Sequence, residues 1–214
     1  MNQILIEISE NLQAGKAKAV ADLVSKALAD GVAPKDILEE GMLNAMGIIG
    51  EKFKTNEIYV PEVLIAARAM NKGMEILKPV LSAEGVKAKG VGVIGTVKGD
   101  LHDIGKNLVK MMMEGKGIEM IDLGVDVSPE KYIAAVKEHN ASIICLSALL
   151  TTTMGEMKNV VDAVKAEGLG GKVKVMIGGA PVTQAFCDQI GADCYTSDAA
   201  SAADAAVAFL NELS

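Results

Sequence analysis

The chain has 214 residues and a formal net charge of −7, with 50% hydrophobic and only 3% aromatic residues. That length suits one large domain or two small ones, and an Ala/Val/Ile/Leu/Met core with mean hydropathy +0.30 suits a soluble α or α/β protein. An acidic balance without a basic cluster argues against nucleic acid or an anionic membrane as main partners. No apolar run approaches the roughly 18 residues of a membrane span.

The N-terminal Met1-Asn-Gln-Ile-Leu-Ile-Glu7 lacks the basic flank and small-residue cleavage site of a signal peptide. Cys145, Cys187 and Cys194 show no paired spacing, which reads as reduced thiols rather than a disulfide or zinc set. A cytoplasmic protein is expected.

Residues 1 to about 80 read as helix. Ile4, Leu5, Ile8 and Leu12 recur at helical spacing up to a break at Gly15. Val20, Leu23, Val24, Ala27 and Leu28 repeat the stripe as far as Asp30-Gly31. Pro34 opens a third helix carrying Ile37, Leu38, Met42, Leu43, Met46, Ile49 and Phe53. After a polar turn at 54–57, Tyr59-Val60-Pro61 leads into a fourth helix with Val63, Leu64, Ala67, Met70, Met74 and Leu77, which Pro79 is expected to end. Four such helices with short turns make an antiparallel bundle, expected over 1–85. The Met42/Met46 and Met70/Met74 pairs read as core filler.

Leu81–Lys89 is short, charged and Gly-containing, and reads as a linker. Beyond it the period changes. Val91–Thr96, Ile118–Leu123, Ser142–Ser147, Val173–Ile177 and a short Cys194–Tyr195 are strand-like, each followed by a helical pattern. The first of these helices carries Ile104, Leu108, Met111 and Met112; a later one starts with Ser128 as N-cap and Pro129 at its first position. Near-continuous apolar strands point to a parallel sheet covered on both faces. The expected fold is α/β: a four-helix bundle followed, over 90–214, by a five-stranded parallel flavodoxin-like (Rossmann-type) domain.

In such sheets ligands gather at the C-terminal strand ends. After strand one stands Gly95-Thr-Val-Lys-Gly-Asp-Leu-His-Asp-Ile-Gly105, after strand three Ser147-Ala-Leu-Leu-Thr-Thr-Thr-Met154, and after strand four Gly178-Gly179-Ala-Pro181. Ser147 occupies the place where a receiver domain needs an aspartate. Three Phe, three Tyr and no Trp supply a poor stacking platform for a flavin. Neither a nucleotide P-loop nor a dinucleotide fingerprint follows the first strand. One His and scattered Cys do not make a zinc site.

What remains is a single loop imidazole, His102, with a carboxylate two residues earlier. A neutral His binds metal through one nitrogen while a carboxylate holds its other N–H, a role open to Asp100. A hydroxyl of Thr151 or Thr153 could in turn bond Asp100. One protein ligand suffices only when the metal already carries most of its coordination, as in a haem or corrin. Gly99, Gly105, Gly178 and Gly179 leave room for a bulky group. Taken singly, Ser147, Thr151 or Thr153 could cap the next helix, Gly178-Gly179 could be a turn, and His139 suits a helix C-terminus.

Asp100-x-His102-x-x-Gly105, Ser147-x-Leu149 and Gly178-Gly179 together resemble the three-part motif of cobalamin-binding domains of the methionine synthase type. The resemblance implies that His102 is the lower axial cobalt ligand, that Asp100 orients it, and that Thr153 completes the chain where methionine synthase has serine. Asp103 and Gly105 belong to the same loop. Ser147, Leu149, Thr151, Gly178 and Gly179 would line the channel for the displaced nucleotide tail. Gly50-Glu-Lys-Phe-Lys-Thr-Asn-Glu-Ile-Tyr-Val-Pro-Glu62 is similar to a turn in the family's helical cap, with Tyr59 and Val60 near its covering residues.

The whole chain thus resembles the stand-alone corrinoid proteins of methyltransferase systems. The implied cofactor is cobalamin or a related corrinoid, loaded as methylcobalamin, with cobalt as its metal. The implied partners are a substrate-specific methyltransferase (methylamine or quaternary amine ahead of methoxyarene and methanol), a second methyltransferase acting on a one-carbon carrier, and a reductive activating protein. His102 is expected to detach or protonate during the cycle with Asp100 as proton acceptor, while the bundle swings off on the linker. The chain would be a non-catalytic subunit and a substrate for two enzymes. A cobalamin-dependent sensor and a mutase cobalamin subunit use the same loops and remain alternatives.

Overall fold

A computed structural model of the chain describes residues 2–213. It falls into two compact units, one of residues through Ala88 together with Gly115–Gly117, the other of Lys89–Glu114 and the chain from Ile118 on.

The first unit is helical. α1 (Gln3–Gln13) is capped by the Asn2 side chain, which accepts the Ile4 N–H, and it buries Ile4, Leu5, Ile8 and Leu12 on one face. Gly15 closes it in the left-handed region, with φ 69°. α2 (Ala17–Ala29) buries Val20, Val24 and Ala27 and packs along the last helix of the unit. The third helix is not uniform. Pro34 starts α3 (Pro34–Asp36), a π-helical segment runs over Ile37–Leu43, and α4 (Asn44–Lys54) completes it. The π segment contains buried Gly41, where an added Cβ would stand 3.2 Å from Cγ2 of Ile8 on α1. Met42, Met46 and Met70 are buried and fill this core.

α5 (Val60–Ala83) begins with the Glu62 carboxylate accepting the Tyr59 backbone N–H. It does not end at Pro79. The proline lies on the exposed side, and the helix continues because Leu81, one turn beyond Leu77 on the same face, is buried. Burial of that face outweighs the backbone bond that proline cannot make.

The second unit is a parallel sheet of order β2-β1-β3-β4-β5, formed by β1 (Val91–Thr96), β2 (Glu119–Asp122), β3 (Ile143–Ser147), β4 (Lys174–Gly178) and β5 (Cys194–Tyr195). Helices α6 (Ile104–Glu114) and α10 (Ala199–Leu213) pack together. So do α7 (Pro129–His139) and α8 (Gly155–Ala166), with α9 (Gln184–Ile190) beside α8. Strand order reverses between β1 and β3, and Thr96, Ser147 and Gly178 stand in register at three adjacent strand ends. Loops leaving those residues therefore open at one level.

Two local expectations change. Ile104 is 75% exposed, so the buried face of α6 is Leu108, Met112 and Met113, with Lys106 buried as well. Ser128 stands at the N-cap of α7, but its side chain makes no cap bond.

Among the described residues, one buried side-chain polar atom has no hydrogen-bond partner. The Tyr132 hydroxyl sits in the core between sheet and helices, against Gly95 of β1, where a Cβ would lie 2.6 Å from the oxygen. An unpaired buried hydroxyl costs about 1–3 kcal/mol. Tyr132→Phe is therefore expected to unfold in urea with stability equal to the parent or higher by about 1 kcal/mol. A loss would show that the hydroxyl has a partner.

Candidate functional site

The loop between β1 and α6 is built around one carboxylate. Asp100 is fully buried. Its Oδ1 lies 2.7 Å from His102 Nδ1 and accepts the His102 backbone N–H at 3.1 Å. Its Oδ2 accepts the backbone N–H groups of Leu149 at 2.8 Å and Leu150 at 3.2 Å, both from the loop after β3. The Thr153 hydroxyl stands 2.8 Å from the same oxygen and 2.9 Å from the Leu150 carbonyl; the charged carboxylate is the stronger acceptor for its single proton.

Burial alone would raise the Asp100 pKa, but the His102 ring, the Leu149 N–H, the Thr153 hydroxyl and the His102 backbone N–H together hold it well below the usual carboxylate range. An ionised Asp100 beside Nδ1 favours a ring proton on that nitrogen and leaves Nε2 as the nitrogen directed away from the carboxylate. A carboxylate so strongly satisfied is a poor base. The depressed Asp100 pKa runs against the expectation that it takes up the imidazole proton.

The imidazole itself remains accessible, with 51% of its side chain exposed. Its backbone is pinned by Thr96, a fully buried residue at the end of β1 whose hydroxyl donates to the His102 carbonyl at 2.7 Å. Leu101, Ile104, Leu149 and Leu150 are all exposed, so the polar pair is flanked by apolar side chains from two loops. Asp103 is exposed and accepts from the Asn107 backbone and side chain, steadying the first turn of α6.

Of the two candidate threonines, the structure selects Thr153; Thr151 is exposed and does not reach Asp100. α8 takes Met154 as N-cap without a side-chain cap bond, so Ser147, Thr151 and Thr153 do not serve there. Ser147 is half-buried at the end of β3. Gly105 and Gly178 face open space. Gly179 has a different reason to be glycine. Its φ is 135°, and a Cβ would fall 1.8 Å from the Ala148 carbonyl oxygen, so it permits the loops after β3 and β4 to touch. Tyr59 belongs to the helical unit and is 64% exposed.

Several contributors carry no sequence signal of their own. The Leu149 and Leu150 donors are backbone groups. Lys106 is 3% exposed, and its ammonium meets both Asp122 oxygens at 2.6 and 2.7 Å and Asn107 Oδ1 at 2.7 Å. A lysine inside the apolar pattern of α6 was the only available hint. Asp126, described below, had none.

Among the described residues no group of three or more His, Cys, Asp or Glu gathers to hold a metal ion. The arrangement defines a class of protein: a flavodoxin-like domain whose strand ends present one oriented imidazole, framed by exposed apolar side chains and open glycines. Residues 90–208 match the model of the B12 binding domain, and residues 5–78 match a second B12 binding domain model. The chain is 42% identical to dimethylamine corrinoid protein 3 of Methanosarcina acetivorans over 93% of both chains, and 42% identical to trimethylamine corrinoid protein 1 of Methanosarcina mazei over 84% of both. It superposes on a chain of the methanol:cobalamin methyltransferase complex MtaBC from Methanosarcina barkeri with TM-score 0.89, at 31% identity, covering 98% of this chain and 80% of that one. The chain belongs to the B12-binding family of corrinoid proteins.

Two substitutions separate the anion from its supports. Thr153→Val leaves the Leu149 and Leu150 donors in place, so it should cost about 1–2 kcal/mol in urea unfolding. Asp100→Asn acts on pH dependence. The folded pKa of Asp100 is depressed, so its contribution is complete above the ordinary value of 3.8 and is lost as pH falls toward the folded value. Asp100→Asn should be less stable at neutral pH, and its unfolding free energy should fall less steeply below pH 3.8 than the parent's. Parallel curves would contradict the depressed value.

Proposed function

We propose that the chain is a methyl-carrying corrinoid protein that takes a methyl group from a substrate-specific methyltransferase and delivers it to a second methyltransferase acting on a one-carbon carrier. The observation that carries this reading is the half-exposed His102 imidazole, with Nδ1 held by buried Asp100 and Nε2 left for a metal.

The residues present fit a corrinoid. A metal whose macrocycle already supplies most of its ligands would need one donor from the protein, and the presented His102 imidazole would be that donor. The macrocycle's broad apolar faces match the exposed Leu101, Ile104, Leu149 and Leu150. In this reading His102 binds cobalt, Asp100 and Thr153 orient it, and Asp103 and Gly105 complete the loop. Ser147, Leu149, Thr151 and Gly178 line the path of the nucleotide tail, while Gly179 keeps the neighbouring loops close enough to shape it. Bound there, the corrinoid supplies a cobalt centre able to accept and release a methyl group. The protein's part is to present Nε2, to retain the Nδ1 proton against a fixed anion, and to keep the lower side of the site structured.

Dimethylamine and trimethylamine corrinoid proteins among the relatives support a methylamine as the ultimate methyl source. The match to a chain of a methanol:cobalamin methyltransferase complex supports a methyltransferase as direct partner. A reductive activating protein belongs to the same reading. Because the methyl donor is bound by the partner, the chain is a shuttle between two active sites rather than a complete enzyme.

The experiment is reconstitution of the apoprotein with hydroxocobalamin, desalting, and spectroscopy. The parent should retain a red cofactor, and its cobalt(II) form should show nitrogen splitting in the electron paramagnetic resonance spectrum. His102→Ala should remove that splitting while leaving the circular dichroism unchanged. No retained cofactor in the parent sinks the proposal, and undiminished splitting in His102→Ala refutes the ligand assignment.

A further inference from the structure

The Asp100 carboxylate is gripped from the β3 side, but its backbone is gripped from the opposite side by the turn between β2 and α7. Asp126 supplies the backbone grip through two contacts. Its Oδ1 accepts the Gly99 N–H at 2.7 Å, and its own N–H donates to the Asp100 carbonyl at 3.0 Å. The turn is itself anchored to β1, since Thr96 N–H donates to the Gly124 carbonyl and Val127 N–H to the Thr96 carbonyl, both at 3.0 Å. Asp126 adopts φ 53°, in the left-handed region that Asp and Asn tolerate best among residues with a side chain. Gly99, which it holds, has φ 80°.

This geometry bears directly on the imidazole. The Asp100 carboxylate can meet Leu149, Leu150 and Thr153 only if the Asp100 backbone stays where the Gly99 turn puts it. Thr96 fixes the loop at the His102 carbonyl, and the Asp100–His102 pair fixes it through the side chains. Between β1 and Asp100, Lys98 and Gly99 are exposed, and the Gly99 N–H bond to Asp126 ties that stretch to a neighbouring turn. An ionised acceptor on a backbone N–H is among the stronger neutral-to-charged bonds.

We propose that Asp126 is a positioning residue for the cobalt-ligating imidazole: it holds the Gly99–Asp100 backbone from the β2 side and so sets the direction in which His102 presents Nε2. This rests on the reading of His102 as the axial ligand, and it adds a residue outside the three motif segments, on a turn that contributes no side chain to the Asp100 carboxylate or the ring.

Three variants of the full chain separate the possible roles. Asp126→Asn retains an acceptor and the left-handed backbone. Asp126→Gly retains the backbone alone. Asp126→Ala loses both. In the apoprotein, amide exchange at Gly99 should quicken about tenfold in the Gly and Ala variants and stay near the parent rate in Asn, as expected for loss of one bond. After loading with hydroxocobalamin and reduction, the fraction of cobalt(II) showing nitrogen splitting should fall in Gly and Ala and be preserved in Asn. An Asp126→Gly protein with parental exchange and a parental ligated fraction overturns the proposal, as does an Asn variant as impaired as Gly. If the parent itself shows no nitrogen splitting, the reading of His102 as ligand fails, while the exchange data still decide whether Asp126 holds the loop.

Discussion

A carboxylate with no access to solvent must find its hydrogen bonds inside the protein, and the environment of Asp100 is arranged around that requirement. Two donors come from His102 and three from the loop after β3. A buried anion with few partners would protonate; one with five stays charged. The charge then determines the imidazole tautomer. Because the anion stays fixed beside Nδ1, Nε2 is the ring nitrogen left facing away from the carboxylate. The orientation of the exposed ring atom is thus set by Asp100 through the other ring nitrogen.

That arrangement depends on sheet topology more than on loop composition. The three donors on Asp100 from the loop after β3 lie 49 to 53 residues beyond it, and they reach it because β1 and β3 are neighbours. Register levels Thr96, Ser147 and Gly178, so the loops leave the sheet together. Gly179 then allows the β4 loop to press on the Ala148 carbonyl, tightening the segment whose next two N–H groups bind Asp100. A side chain at 179 would displace the backbone donors, although it would touch neither Asp100 nor His102.

Features set by local pattern were legible in the sequence. Val91–Thr96 is marked by an apolar run ending in Gly and Thr, and the strand has those limits. The helical half shows four apolar stripes, and Asp100, His102 and Thr153 stand out by residue type, the carboxylate lying within bonding distance of the imidazole and of the hydroxyl. What stayed hidden has a common cause, namely dependence on neighbours distant in the chain. Pro79 is a helix breaker by local rule, but burial of Leu81 carries the helix past it. Ile104 fits a core stripe by spacing, yet the strand-end position leaves it exposed. The π-helical segment over Ile37–Leu43 has a period too close to 3.6 to distinguish by apolar spacing over seven residues. Asp126 sits in a Gly-Val-Asp turn of no special composition; only pairing of β1 with β2 brings it to Gly99.

Lys106 and Asp122 illustrate the same logic at the other end of the loop. Taking an ammonium out of water is costly unless each of its protons finds an acceptor, and Lys106 has three: two oxygens of Asp122 and one of Asn107. Asp122 also accepts the Gly124 N–H, and Asn107 bonds Asp103, so the pair links the end of β2 to the start of α6. The loop bearing His102 is consequently fixed at its origin by β1, across its middle by the β2 and β3 turns, and at its exit by the ion pair of buried Lys106 with Asp122. A ligand meeting such a loop does not have to order it. The conformational cost that otherwise weakens association through a single donor atom has already been met in folding. One imidazole can then serve as a directed ligand, because the freedom it retains is confined to a side chain whose far nitrogen is held.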